Sequence, residues 1–161
     1  MKKSLLIAAV LTFGAGQALA AAHFFSADAS VNSNGALVVS FDEAGVANAT
    51  VVESLTAQGS AVYACINRGG KNPSASNKTA VSGAVRADNT FSATKNGRVR
   101  GTLEAGPPDE GNFACPSGQD LIVACVRYTD VLLSDLTNGV SIVPTGTFSR
   151  NFMSIPGSCP N

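Results

Sequence analysis

The sequence predicts an all-β fold, an antiparallel β-sandwich. Three observations predict it. Apolar and polar residues alternate over short runs, the period-2 pattern of strands with one face buried. Asn-Gly pairs and Gly/Pro-rich stretches punctuate those runs at short intervals. No segment of useful length carries the 3.6-residue period of a helix. About eight short strands with frequent turns suit an immunoglobulin-like sandwich, with a small β-barrel as the alternative.

Taken in order, "ALVVSF" (36–41) places Leu37, Val39 and Phe41 on one face. "AVYACIN" (61–67) places Val62, Ala64 and Ile66 together, and with them toward the core. "TAVSGAVRA" (79–87) sets Val81 and Val85 against Ser82 and Arg86. "GRVRGTLEA" (97–105) points Val99 and Leu103 inward and Arg98, Arg100, Thr102 and Glu104 outward. "DLIVACVRYTDVLL" (120–133) is almost continuously apolar and reads as a central strand covered on both faces. Asn34-Gly35, Asn96-Gly97 and Asn138-Gly139 match the type I′ hairpin turn, and Asp88-Asn89 is a weaker turn. "AGPPDEGN" (105–112) is a rigidly punctuated loop that is expected to project. Pro144 and Gly146 interrupt the last strand and mark an edge or a bulge.

The first twenty residues read as a secretory signal peptide: Lys2 and Lys3, a short apolar run, then Ala18-Leu19-Ala20. Cleavage falls between Ala20 and Ala22. Residues 21–161 then form a single secreted, extracellular β domain, long enough for a real core. No later stretch has the length and apolarity of a transmembrane helix. Removing Lys2 and Lys3 leaves nine basic residues against 11 acidic, a net charge of −2. That excludes a globally basic nucleic-acid binder.

Four cysteines remain: Cys65, Cys115, Cys125 and Cys159. An even number in an exported chain reads as two disulfides, and three pairings are open. The expected set is Cys65–Cys115 with Cys125–Cys159. A zinc site is the weaker rival, because no C-x-x-C is present and the sole histidine is remote.

"YACINRGGKNPSASNK" (63–78) is the most distinctive stretch. It is not a phosphate loop: Gly70-Lys71 is followed by Asn72-Pro73, with no helix to open. It reads as a connection between strands, with an anion site of Gly amides, Arg68 and Lys71 as the sharper possibility. Charge is segregated around it. Residues 65–100 hold seven basic residues and one acidic, whereas 101–135 hold six acidic and one basic, Arg127. Either a basic strip meets an acidic glycan or a cell-surface partner, or the two groups pair across neighbouring strands. The second account is favoured. The candidate ligand contacts are Arg68, Lys71, Asn72, Lys95, Arg98 and Arg100.

The same stretch, with "CPSGQDL" (115–121), "RYTDV" (127–131) and "GTFSRNF" (146–152), resembles small exported proteins, mostly actinobacterial, that have no assigned function. The likeness spans roughly residues 24–152. It implies an exported domain and the Cys65–Cys115 bridge. It implies no activity, and Cys125 is not a usual feature of the group.

No catalytic constellation stands out. The only histidine is His23, near the expected mature N-terminus, and G-x-S-x-G is absent. Glu43, Glu53, Glu104, Glu110 and the aspartates could supply a carboxylate pair, but are expected at strand ends, turns and outward positions. Trp is absent, so stacking platforms for sugars are few. His23 could complete a Cu(II) or Ni(II) nitrogen set with the mature N-terminus, although an inert, disordered leader is the plainer account. No cofactor is expected. Asn48 and Asn77 begin glycosylation sequons, read as chance. The expected function is a noncatalytic binding or surface-interaction domain. The alternatives are a small secreted hydrolase with a carboxylate site, and an inhibitory or structural envelope protein using loop 105–114.

Overall fold

A computed structural model describes residues 21–47, 50–67, 77–155 and 158. Within them the chain is all-β, with no helix. Nine strands run in order: β1 (His23–Val31), β2 (Leu37–Ala44), β3 (Thr50–Asn67), β4 (Lys78–Ser92), β5 (Arg98–Ala105), β6 (Gln119–Asp135), β7 (Val140–Ile142), β8 (Thr145–Gly146) and β9 (Ser149–Asn151). They form two sheets packed as a sandwich. One has the order β5-β2-β1-β8; the other has the order β4-β3-β6-β7, with β9 also on β6. The expected signal peptide, residues 1–20, lies outside the described residues, as does Asn48.

The inward positions of both sheets make one core. Leu37, Val39 and Phe41 from β2 and Val99 and Leu103 from β5 meet Leu55, Ala57 and Tyr63 from β3 and Val126, Tyr128 and Leu133 from β6. The alternation that predicted β2, β4 and β5 is therefore the alternation of burial.

Two expectations fail, one on β6 and one on β3, for different reasons. Opposite β3, strand β6 is bulged twice. The pairing steps from Val62↔Cys125 to Tyr63↔Val123, which leaves Ala124 extra, and from Thr56↔Leu132 to Gln58↔Thr129, around Asp130 and Val131. Each bulge reverses which side chains face in. Leu121 and Val123 pack on the core, then Val126 and Tyr128, then Val131 and Leu133. The run at 120–133 thus looks continuously apolar because its inward parity changes, as well as because part of its outer face is covered. That cover sits over Val62, Ala64, Ala124 and Cys125, a second small cluster closed by Met153 and Ile155. On β3, where alternation is unbroken, that second cluster makes the outer face apolar as well: Val62 and Ala64 face away from the main core, and it is Ala61 and Tyr63 that face into it.

The turns form at all three Asn-Gly pairs, but not as type I′. Gly35, Gly97 and Gly139 have φ of 86°, 66° and 71°, whereas Asp130 is the only non-glycine with positive φ among the described residues. A type I′ turn needs both central residues left-handed. Here the amide of Gly35 donates to the Asn32 carbonyl and that of Gly97 to the Thr94 carbonyl. These are right-handed turns closed by a left-handed glycine, the other common hairpin solution. Pro144 marks a crossing: β7 lies in the larger sheet, while β8 runs parallel to β1 in the smaller.

The Cys65–Cys115 disulfide is present. Cys125 is fully buried and is not a free thiol, and its expected partner Cys159 lies outside the described residues. The loop after β5 does not project freely. Pro108 is buried, and its carbonyl accepts a 2.8 Å hydrogen bond from the Tyr63 hydroxyl. Asp109, Gly111 and Asn112 remain exposed at its tip.

Candidate functional site

Two members of the expected basic strip, Arg98 and Arg100, pair across strands, though with an aspartate of β2 and not with the acidic segment 101–135. Asp42 on β2 lies directly opposite Arg100 on β5, and Ala44 lies opposite Arg98. The Asp42 carboxylate takes both arginines: Arg98 Nε at 2.5 Å and Nη2 at 2.6 Å, and Arg100 Nε at 2.8 Å. The Arg98 hydrogen bonds, only partly opposed by burial and assisted by Arg100, hold this carboxyl down to about 2. Arg98 also stacks over the Phe25 ring, 5.2 Å from its centroid. Arg86 pairs with Asp88 at 2.8 Å. Lys95 is exposed in the turn before β5. Arg68, Lys71 and Asn72 lie outside the described residues. The three arginines of the strip that the structure describes, Arg86, Arg98 and Arg100, are thus already engaged by an aspartate.

His23 begins β1, opposite Ala44, instead of lying in a loose leader. Its Nδ1 is 2.9 Å from the Ala21 carbonyl oxygen, and its ring stacks on Phe25 at 5.6 Å. An N-terminal metal set would have to take His23 out of this pairing.

Glu43 and Glu53 are not surface residues. They and Asp135 are completely buried, and one carboxylate oxygen from each lies within 4.8 Å of the others. Glu43 extends the inward series of Leu37, Val39 and Phe41. Glu53 stands between Val51 and Leu55 on the inward face of β3. Asp135 follows Val131 and Leu133, and only because the bulge at Asp130 has shifted the inward parity of β6. Glu53 and Asp135 face one another directly across the strand pair, and Glu43 comes from the opposite sheet.

Asp135 is well supplied with donors. Its Oδ1 accepts from the Thr137 amide (2.7 Å) and the Asn138 amide (3.0 Å), and its Oδ2 from Asn138 Nδ2 (2.5 Å). The four oxygens of Glu43 and Glu53 have no hydrogen-bond donor, and no Lys, Arg or His bonds to the trio among the described residues. Burial, reinforced by Glu53 and Asp135, pushes the Glu43 carboxyl up to about 9. Burial likewise pushes Glu53 up to about 7, with the adjoining Glu43 opposing and Asp135 adding to the rise. Two carboxyls that converge are the raw material of glycoside hydrolysis. Here they converge inside the sandwich, where no sugar ring reaches them.

The signal that could have located this trio is in the sequence: each acid continues an apolar period-2 series by one step. A carboxylate at such a position is read as a strand end, because burial of an unpaired charge is costly and rare.

The outer face of the larger sheet carries a different feature. Ser60 lies opposite both Ser82 and Arg127, and Gln58 opposite Thr129. These five side chains line a shallow groove of ≈ 380 Å³ that crosses β4, β3 and β6. Thr129 also lines an adjoining apolar recess of ≈ 420 Å³ with Leu132, Val143 and Phe148. Gln58, Ser82, Arg127 and Thr129 are exposed. This row was missed because its members are outward residues of three separated segments, which only the strand register brings together. Comparison of the chain with protein-family models, with curated proteins and with solved structures gives no match.

Proposed function

We propose that this chain is an exported, noncatalytic binding domain of immunoglobulin-like topology that holds an acidic glycan on the outer face of its larger sheet. Strand order supports the topology. β1, β2 and β5 stand as A, B and E do in that fold, and β4, β3, β6 and β7 as C′, C, F and G. The Cys65–Cys115 bridge departs from the usual B–F disulfide. The leader-like N-terminus and the resemblance to exported actinobacterial proteins support export.

The observation that carries the binding reading is the row of Gln58, Ser60, Ser82, Arg127 and Thr129 beside an apolar recess. Hydroxyl, amide and guanidinium groups at strand spacing offer donors and acceptors to sugar hydroxyls, with Arg127 placed for a carboxylate or sulfate. Val143, Leu132 and Phe148 supply an apolar surface for the C–H face of a ring.

A glycan array of acidic and neutral oligosaccharides, probed with residues 21–161, tests the proposal. We expect retention of acidic glycans, lost by about tenfold or more in Arg127→Glu and kept in Arg98→Glu/Arg100→Glu. No retention of the wild-type domain, or retention unchanged by Arg127→Glu, overturns it.

A further inference from the structure

We propose that Glu43, Glu53 and Asp135 form a binding site for one calcium ion in the core, joining the two sheets. Two observations carry this independently of each other. The first is convergence: one oxygen from each of three carboxylates, on three strands of two sheets, lies within 4.8 Å of the others. Oxygens around a calcium ion at 2.3–2.6 Å are separated by no more than about twice that distance. The second is the state of those oxygens. Glu43 and Glu53 are fully buried, and all four of their carboxylate oxygens are without a donor. A buried carboxylate normally answers its desolvation cost with a cation or several N–H donors. Asp135 has such donors, and the two glutamates do not.

The donor set selects the ion. All three residues offer oxygen alone, with no His or Cys in the group, which disfavours zinc and copper. Magnesium keeps several waters and demands a strict octahedron, a poor match to side chains wholly closed off from solvent. Calcium tolerates irregular, bidentate carboxylate coordination. Glu43 and Glu53 supply four oxygens. Asp135 Oδ2, which accepts one hydrogen bond, keeps a lone pair for a fifth, and one water or backbone carbonyl reaches the lower end of calcium's usual number. The turn after β6 closes this end of the sandwich: Thr137 Oγ1 accepts from the Val52 amide, and the Leu136 amide donates to the Val52 carbonyl.

The test uses residues 21–161, stripped with a chelator and dialysed. Calcium chloride is titrated by calorimetry, native mass spectrometry counts bound calcium, and thermal unfolding is followed with calcium or magnesium. We expect one calcium per chain and a midpoint raised by about 4 °C at ten times Kd, with a smaller response to magnesium. Glu53→Gln, which keeps the shape and removes a charge, should weaken binding about tenfold or more. The surface variant Asp88→Asn should bind as wild type does. Should Glu53→Gln fail to fold, Asp135→Asn serves in its place, and the wild-type stoichiometry still decides. No bound calcium at several millimolar, or equal loss in Asp88→Asn, overturns the site; the glutamates then hold protons in place of an ion.

Discussion

The Tyr128 hydroxyl donates a 2.6 Å hydrogen bond to the Gly35 carbonyl, joining the central strand of one sheet to the β1–β2 turn of the other. Tyr128 is 2% exposed, so neither partner has water as a substitute. Tyr128→Phe keeps the ring and leaves the Gly35 oxygen without that donor. The expected cost is about 1–2 kcal/mol, read from urea unfolding midpoints at constant m.

Burial of the same phenol gives the protein an alkaline limit. Burial pushes the Tyr128 phenol up to about 12, from an ordinary value of 10.0. Its neutral form is the one favoured by folding, so the folded state binds more protons than the unfolded state between those values. Stability is therefore full below pH 10 and falls as pH rises toward 12, by about 2 kcal/mol at most. Tyr63 shifts the same way through burial and the nearby Glu110 and Asp109. Absorbance at 295 nm should show no tyrosine ionising at its ordinary value until the protein unfolds. A normal titration with near-UV circular dichroism intact would contradict this.

The Cys65–Cys115 bridge spans 50 residues of sequence. Closing a loop of that length in the unfolded chain corresponds to about 4 kcal/mol in the chain-entropy account. It also fixes the end of β3 to the segment that leads into β6. Cys65→Ala/Cys115→Ala should lower the thermal midpoint by about 8–16 °C, while far-UV circular dichroism stays β-type. A loss below 2 °C would show that the β3–β4 and β3–β6 ladders hold the fold without it.

Asp130 sits at φ 52° at the second β6 bulge. Aspartate tolerates the left-handed region, and a β-branched residue does not. Asp130→Gly should be neutral or slightly stabilising, and Asp130→Val should cost about 1–2 kcal/mol. The ranking matters beyond stability, because this bulge sets which way Asp135 points. If Asp130→Val is tolerated as well as Asp130→Gly, β6 can reach Asp135 by another register.

Where alternation is uninterrupted and only one face of the strand is covered, the sequence is a direct record of burial; on β3 both faces are covered near Val62 and Ala64, and the parity is ambiguous. Leu37, Val39 and Phe41, or Val99 and Leu103, face in because no bulge intervenes between them. β6 defeats the same reasoning, because extra residues at Ala124 and Asp130 reset parity without altering composition. An even cysteine number implied disulfides but left three pairings open, and the resemblance singled out Cys65–Cys115. The segregated charges implied pairing with residues 101–135, whereas Arg98 and Arg100 pair with Asp42, outside that segment. The carboxylate trio was not legible. Reading Glu43, Glu53 and Asp135 as solvated follows from the average behaviour of acids, whereas their positions follow from periodicity. Here position prevails over residue type.

That conflict between position and residue type has a measurable consequence in calcium-free solution. Glu53 and Asp135 are cross-strand neighbours of like charge, with Glu43 facing both, and like charges directly opposite destabilise a strand pair. Glu43→Gln/Glu53→Gln removes two ionisable groups at nearly constant volume, and each new amide can donate to a neighbouring carboxylate oxygen. With chelator present at pH 8, the double variant should be more stable than wild type by about 1 kcal/mol or more. With calcium it should gain nothing, whereas wild type rises. The order of the two midpoints should therefore invert on adding the ion. If the variant is less stable under both conditions, the buried acids contribute through hydrogen bonds among themselves, and their retention in the core owes nothing to a cation.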